Sequence, residues 1–204
     1  SFRYSTTGYG VLALRLGELG VPYLELLRKR ILQPIGSRAV VSIDARAASR
    51  LAPGFNRAGN QVPAGPTREA FIASGGLIAS ARDLVKLLRV FVDPEKHSGL
   101  DKAVMLTRTR NDELVGFHGS AVALGWMVDR KTGIYWHPGV SSVHRTVIAY
   151  HPESRVGVAV LANRYRKVSD DRIEQLAFQL IAELPRVVAE KSKARTPVGI
   201  RAVD

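Results

Sequence analysis

The strongest constraint on how this chain folds is a run of alternating segments in its second half. LGWMVD (124–129), IYWH (134–137), RTVIAYH (145–151) and VGVAVLAN (156–163) follow one another with only a few residues between them. Period-two alternation turns one face of each segment to a core, and connectors this short join only antiparallel neighbours. An antiparallel run of four strands is therefore predicted. RKTG, between the first two, has the length and chemistry of a hairpin turn, with Gly133 taking a positive φ. After the last strand comes DRIEQLAFQLIAEL, predicted as a helix capped by Ser169. It carries Ile173, Leu176, Leu180 and Leu184 on one face, suited to lie across the sheet.

The first half has the helical period instead. A helix is predicted from about Gly8 to a stop at Gly20, and a second from Pro22 with Leu24, Leu27 and Ile31 on one face, ended by Pro34 and Gly36. Residues 37–66 are rich in Ala, Gly, Arg and Pro without a sustained period, which predicts a long surface excursion with at most short strands. Ser74-Gly75-Gly76 marks a tight backbone site. Ser80 and Asp83 frame a helix start of the capping-box kind, with Leu84, Leu87, Leu88 and Phe91 as its buried stripe. A short helix over Asp101 to Thr107 follows. The division expected is a helical region over 1–109, including the loop 37–66, then strands and a closing helix over 110–184, and a frayed basic tail over 185–204.

With 204 residues, 46% hydrophobic and 24% charged, the chain is long enough for one sizeable core. Its longest apolar runs are too short to cross a bilayer, and no signal-peptide pattern is present, so no membrane span is expected. The absence of cysteine excludes disulfides and thiol chemistry. It leaves a periplasmic or a cytoplasmic location, of bacterial type, equally open. A net charge of +12 raises nucleic acid as a partner. However, the Arg and Lys residues are spread along the chain, with modest clusters at Arg28–Arg30 and Arg164–Lys167, and no DNA- or RNA-binding motif accompanies them. A basic solvated surface is expected instead, and steep salt-dependent retention on heparin or DNA would reverse that reading. His97, His118, His144 and His151 lack metal-ligand spacing, and Gly75-Gly76 is not followed by a phosphate-binding Lys-Ser/Thr. Neither a metal nor another cofactor is expected.

Two triplets, KTG (131–133) and HPG (137–139), have the form of a hydrolase active-site wall. The first falls in the predicted hairpin turn. The second ends one strand and precedes the next, at the edge or end of the sheet, where a substrate can pair with backbone groups.

Several segments, in order, resemble the serine β-lactamase and penicillin-binding-protein superfamily, in its class C and esterase branch. FRYSTTGYGVLALRLGELGVPYLELLRKRILQPIG is similar to the segment carrying that branch's Tyr-x-Asn motif and two following helices. ASGGLIASARDLVKLL resembles its Gly-Gly segment and helix, and LGWMVD its GLGW strand. HPGVSSVHRTVIAYHPESRVGVAVLAN resembles its third motif, Lys/His-Thr/Gly-Gly, which runs on to a proline and then LAN. In that branch the third motif starts about fifteen positions before the proline. His137 lies fifteen before Pro152 and Lys131 twenty-one, so HPG is the match. The fold implied is α/β (α+β), a β-lactamase/transpeptidase-like fold in part: a helical region, then antiparallel strands and a C-terminal helix.

What the resemblance implies for chemistry is acyl transfer through a serine ester, on an ester, a β-lactam or a D-amino-acid amide. Tyr4 matches the motif tyrosine, as general base or as the acid that protonates the leaving group, its phenol tuned by nearby cations. His137 would supply a hydrogen bond or a positive charge, and the backbone N–H of Val140 would enter the oxyanion hole. Thr6, Gly139 and Ser141 fall at substrate-binding positions. Thr6 departs from the family's Asn, and side chains at Ser142 and Val143 in place of glycines would narrow the site. Taken without the resemblance, Tyr4 reads as a half-buried tyrosine at a helix start, and His137 as a solvent-exposed strand end.

The family nucleophile is the serine of a Ser-x-x-Lys motif upstream of the tyrosine. No serine in this sequence has lysine three positions on; Ser142, Ser169 and Ser192 have arginine there and lie too far downstream. The chain begins at Ser1 rather than Met, and the motif order implies the C-terminal part of a larger enzyme, inactive alone. The expected partners are a small ester or amide, the missing N-terminal segment, and, through an exposed edge and apolar face, a second copy. The alternative is a non-catalytic binding or scaffold module derived from the same fold.

Overall fold

A computed structural model of the chain describes residues 2–41, 49–63, 72–97, 99–141, 143–164 and 171–194. Helix α1 spans Thr6–Glu18 and starts two residues earlier than predicted, because the Ser5 hydroxyl accepts the Gly8 N–H at 2.9 Å and caps it. Helix α2 spans Tyr23–Leu27 and widens into a π turn over Arg28–Leu32, after which turns run to Gly36. The predicted stripe of α2 is only half covered: Leu27 and Ile31 are half-buried and Leu24 is exposed. In the loop 37–66, the described part holds two-residue strands β1 (Gly54–Phe55) and β2 (Gln61–Val62), paired antiparallel.

Helix α3 is a single turn, Ile72–Gly75, closed by Gly76, where a Cβ would lie 2.7 Å from the Ile72 carbonyl oxygen. Helix α4, Ala81–Val92, has the predicted capping box: Asp83 N–H donates to the Ser80 hydroxyl while the Asp83 carboxylate accepts the Ser80 N–H. Asp83 also accepts the Arg38 N–H at 2.8 Å and the Ser37 hydroxyl, so one buried carboxylate fixes both a helix start and the chain leaving α2. Helix α5 occupies Asp101–Thr107, as predicted.

The main sheet has six antiparallel strands in chain order, where four were predicted. They are β3 (Arg110–Asn111), β4 (Ala121–Ala123), β5 (Trp126–Val128), β6 (Tyr135–Val140), β7 (Arg145–His151) and β8 (Val156–Ala162). The first two are too short to show a period, and Leu124-Gly125, assigned from sequence to a strand, is the turn between β4 and β5. Helix α6, Arg172–Ala194, runs through Pro185, so the tail predicted from that residue begins as helix. Its predicted cap, Ser169, lies outside the described residues.

Alternation along the strands makes two cores. On one face Trp126, Val128, Tyr135 and Tyr150 pack with Leu88 of α4; on the other Met127, Trp136, Val147 and Ala149 pack with Ala177 and Ile181 of α6. The sheet therefore lies between α4 and α6, both of which contact β7 and β8. Asp83 gives this arrangement a pH signature. Burial raises its pKa, but hydrogen bonds from Ser80, Arg38 and Ser37 outweigh that and hold it below the ordinary carboxylate range. Asp83→Ala is expected to cost about 1–3 kcal/mol in urea unfolding. The difference from wild type should be full above about pH 4 and shrink as pH falls further through the depressed pKa; a difference that persists to pH 2 would contradict this.

Candidate active site

Strand β6 is twice as long as β5, and that inequality creates the site. β5 pairs only with Tyr135 and Trp136, after which its chain turns away at Leu124-Gly125. From His137 to Val140, β6 pairs with β7 alone. The hydrogen-bond phase follows from two contacts: Ser141 N–H to the His144 carbonyl at 2.9 Å, and Asp129 N–H to the Ile134 carbonyl at 2.9 Å. In an antiparallel ladder, bonded and non-bonded pairs alternate. Pro138 and Val140 thus turn their backbone groups away from β7, toward the open side. Proline has no N–H, so the donor offered there is that of Val140, whose residue is 51% exposed.

Tyr4, which precedes the Ser5 cap of α1, is carried to this overhang. Its ring centroid lies 6.0 Å from that of His137 and 5.1 Å from that of Phe117. Phe117 sits on a short turn in which His118 and Gly119 are both left-handed (φ 52° and 76°), closed by the Gly116 N–H bond to the Ser120 carbonyl. Burial pushes the Tyr4 phenol above its ordinary pKa, and Tyr9 adds to the shift. Among the described residues no cation contributes to that shift, so the tuning by cations that the resemblance implies is not supplied by them, and the phenol stays protonated at neutral pH. Burial likewise lowers the His137 pKa, opposed by a hydrogen bond with the Pro138 backbone. His137 is therefore neutral at pH 7, a hydrogen-bonding group and not a fixed charge.

The other predicted residues separate. Gly139 lies in β6, where a Cβ would stand 2.4 Å from the Thr146 hydroxyl oxygen, so the close approach it permits is that of the neighbouring strand. Ser141 accepts the N–H groups of Val143 and His144 and ties the β6–β7 turn. Thr6 is exposed in the first turn of α1 and makes no side-chain hydrogen bond among the described residues. Val143 is buried against Gly54 and does not line the opening, contrary to expectation; Ser142 lies outside the described residues. KTG is the hairpin turn: the Asp129 carboxylate accepts the N–H groups of Lys131 and Thr132 and the Thr132 hydroxyl, and Gly133 has φ 71°. Among the described residues no group of three His, Cys, Asp or Glu side chains could hold a metal ion.

Two contributors were not foreseen. Arg145, directly across from Val140, is buried and donates to Glu174 of α6 at 2.8 Å, fastening the overhang to the helix behind it. An arginine at an inward position of an alternating strand was the available signal. Phe117 gave none, because its contact depends on a turn of irregular geometry.

A family model described as Beta-lactamase matches residues 1–182, and the chain belongs to that family. No curated protein matches it. Among solved structures it is similar to a class C β-lactamase from Rhodobacter sphaeroides, with TM-score 0.72 and 21% identity over 89% of this chain and 60% of that one. It is also similar to a β-lactamase/D-alanine carboxypeptidase from Yersinia pestis complexed with citrate, with TM-score 0.71 and 24% identity over 89% of this chain and 54% of that one. A further class C β-lactamase matches with TM-score 0.74 and 18% identity, over 89% of this chain and 57% of that one. The fold is thus the mixed α/β β-lactamase fold, and the chain spans a little over half the length of these structures.

Two outcomes are expected. Gly139→Ala should cost about 1–3 kcal/mol in thermal or urea unfolding, and Thr146→Ala added to it should recover most of the loss by removing the clashing hydroxyl. Failure of the second change to rescue the first would place the strain elsewhere. In an NMR titration the His137 ring should ionise below the usual histidine midpoint of about 6.5; a midpoint above that would show a neighbouring anion that the geometry lacks.

Proposed function

We propose that this chain supplies one wall of a serine acyl-transfer site acting on an ester, a β-lactam or a D-amino-acid amide. The observation that carries the reading is the meeting of Tyr4 and His137, far apart in sequence, at an overhang whose Val140 N–H points into open space. A carbonyl attacked there would place its developing oxyanion against that N–H. Tyr4, protonated at neutral pH, is suited to give its proton to the leaving group; acting first as a base requires a cation beside it, such as the lysine of a Ser-x-x-Lys motif. The sequence contains no Ser-x-x-Lys. The nucleophile then comes from polypeptide outside these 204 residues, and the chain alone does not turn over.

Intact-mass measurement of the purified chain with a β-lactam and with an activated ester is expected to show no covalent adduct; a stable adduct would overturn the second half of the proposal. Joined to the polypeptide encoded immediately before it, the chain is expected to gain one adduct on the serine of a Ser-x-x-Lys. Tyr4→Phe should then slow adduct formation by about a hundredfold or more. An upstream segment without that motif, or an unchanged rate in Tyr4→Phe, would sink the reading. Thr6 in place of asparagine and the uncharged His137 favour a second reading, a non-catalytic module of the same fold. Adduct-free binding of the same compounds by the joined protein would support it.

A further inference from the structure

Val140 is held less directly than its neighbours. It stands opposite Arg145 as a pair that exchanges no hydrogen bond, so its peptide is fixed only through the bonded pairs on either side, Gly139 with Thr146 and Ser141 with His144. The second of these pairs lies in the β6–β7 turn, which β5 does not reach. Wherever that turn sits, the Val140 N–H follows.

The turn is seated on a segment from the other half of the chain. Val143, 1% exposed, packs on Gly54 so closely that a Cβ there would stand 2.4 Å from the Val143 Cγ2 and 2.5 Å from its Cβ. The His144 Nε2 lies 3.3 Å from the Ala52 carbonyl oxygen, to which it donates in the tautomer that carries its hydrogen there. Because Arg145 pairs with Ala162, the end of β8 runs beside this turn. There the Asn163 side-chain amide donates to the Pro53 carbonyl at 2.8 Å, and the Asn163 carbonyl accepts the Phe55 N–H at 2.8 Å. Ala52 and Gly54 thus engage the turn while Pro53 and Phe55 engage Asn163. The segment is itself braced: Gly54 and Phe55 pair with Val62 and Gln61, and two hydrogen bonds between Asn56 and Asn60 close the connection.

We infer that Ala52–Phe55 is a strap that positions the oxyanion donor: by seating Val143 and His144 it fixes the turn from outside and so sets the direction of the Val140 N–H. The catalytic consequence rests on the acyl-transfer reading, whereas the hold on Val140 is a property of this chain. A donor lowers the barrier only if it is already aimed when charge develops on the carbonyl oxygen, and a misplacement of about 1 Å costs up to about a hundredfold in rate. Val143 and Asn163 act through Val140 and are positioning residues.

The test uses the chain joined to the polypeptide encoded immediately before it, with Val143→Ala and Asn163→Ala. Adduct formation with a β-lactam or an activated ester, followed against its concentration, should slow about tenfold or more at saturation in each variant, while the half-saturating concentration changes less than about twofold. Nitrogen-15 relaxation should show the wild-type Val140 amide rigid, with an order parameter of about 0.85, and shifted toward about 0.6 in both variants. Leu88→Ala, in the core on the α4 side of the sheet, costs stability without touching the strap and should leave both readouts at their wild-type values. The inference is overturned by a Val140 order parameter that neither variant lowers, or that Leu88→Ala lowers as much. A saturating rate unchanged in both variants, or a loss seen only in the half-saturating concentration, overturns it equally. If the wild-type joined protein forms no adduct, the acyl-transfer reading falls, and the order parameters alone decide whether the strap holds Val140. Should Val143→Ala fail to fold, Asn163→Ala, which removes the side-chain bond to Pro53, carries the same comparison.

Discussion

The ladder between β6 and β7 is the constraint on which the site depends. Six residues of β6 are paired on that side, and only two of them also meet β5, so the strand continues past its other neighbour with one flank bare. A bare flank inside a folded domain is unstable unless the strand is held firmly from behind. Three contacts do this. Gly139 allows the Thr146 side chain to close on the backbone, Ser141 ties the turn, and Arg145 reaches through to Glu174 on α6. The last is a buried ion pair, whose desolvation cost offsets much of its attraction; its contribution is to fix position more than to add stability. The helix behind the sheet is in this way part of what presents Val140 to the opening.

Around that opening the groups are aromatic and uncharged. Phe117 packs against Tyr4, which stays 43% exposed, His137 lies beside it, and partial burial shifts both titratable rings toward their neutral forms. Any polypeptide that brings a lysine to Tyr4 would change the state of the phenol more than a charge would at an exposed site, because a partly buried interaction is less screened by solvent.

Much of this was legible in the sequence. The capping box at Ser80 and Asp83, the helix over Asp101–Thr107, the turn at Lys131–Gly133 and the long strands β7 and β8 all followed from local chemistry. The turn signature of KTG was local in the same way, whereas the choice of HPG rested on the spacing to Pro152 that the family resemblance implies. The short strands β3 and β4 were missed because two or three residues cannot display a period. The helix beyond Pro185 was missed because proline normally ends one, and here it does not.

The sequence by itself determined the order of the longer elements, the faces that become core and the family to which the chain is similar, because these depend on periodicity and on turn and cap residues that act over a few positions. Only the tertiary structure decided that Tyr4 and His137 meet, that Val143 turns inward, and that the Val140 N–H faces outward while Gly139 faces β7. Those outcomes depend on the phase of a hydrogen-bond ladder and on contacts with residues distant in the chain, Phe117 for Tyr4 and Gly54 for Val143. Neither is written in the identity of the residues concerned.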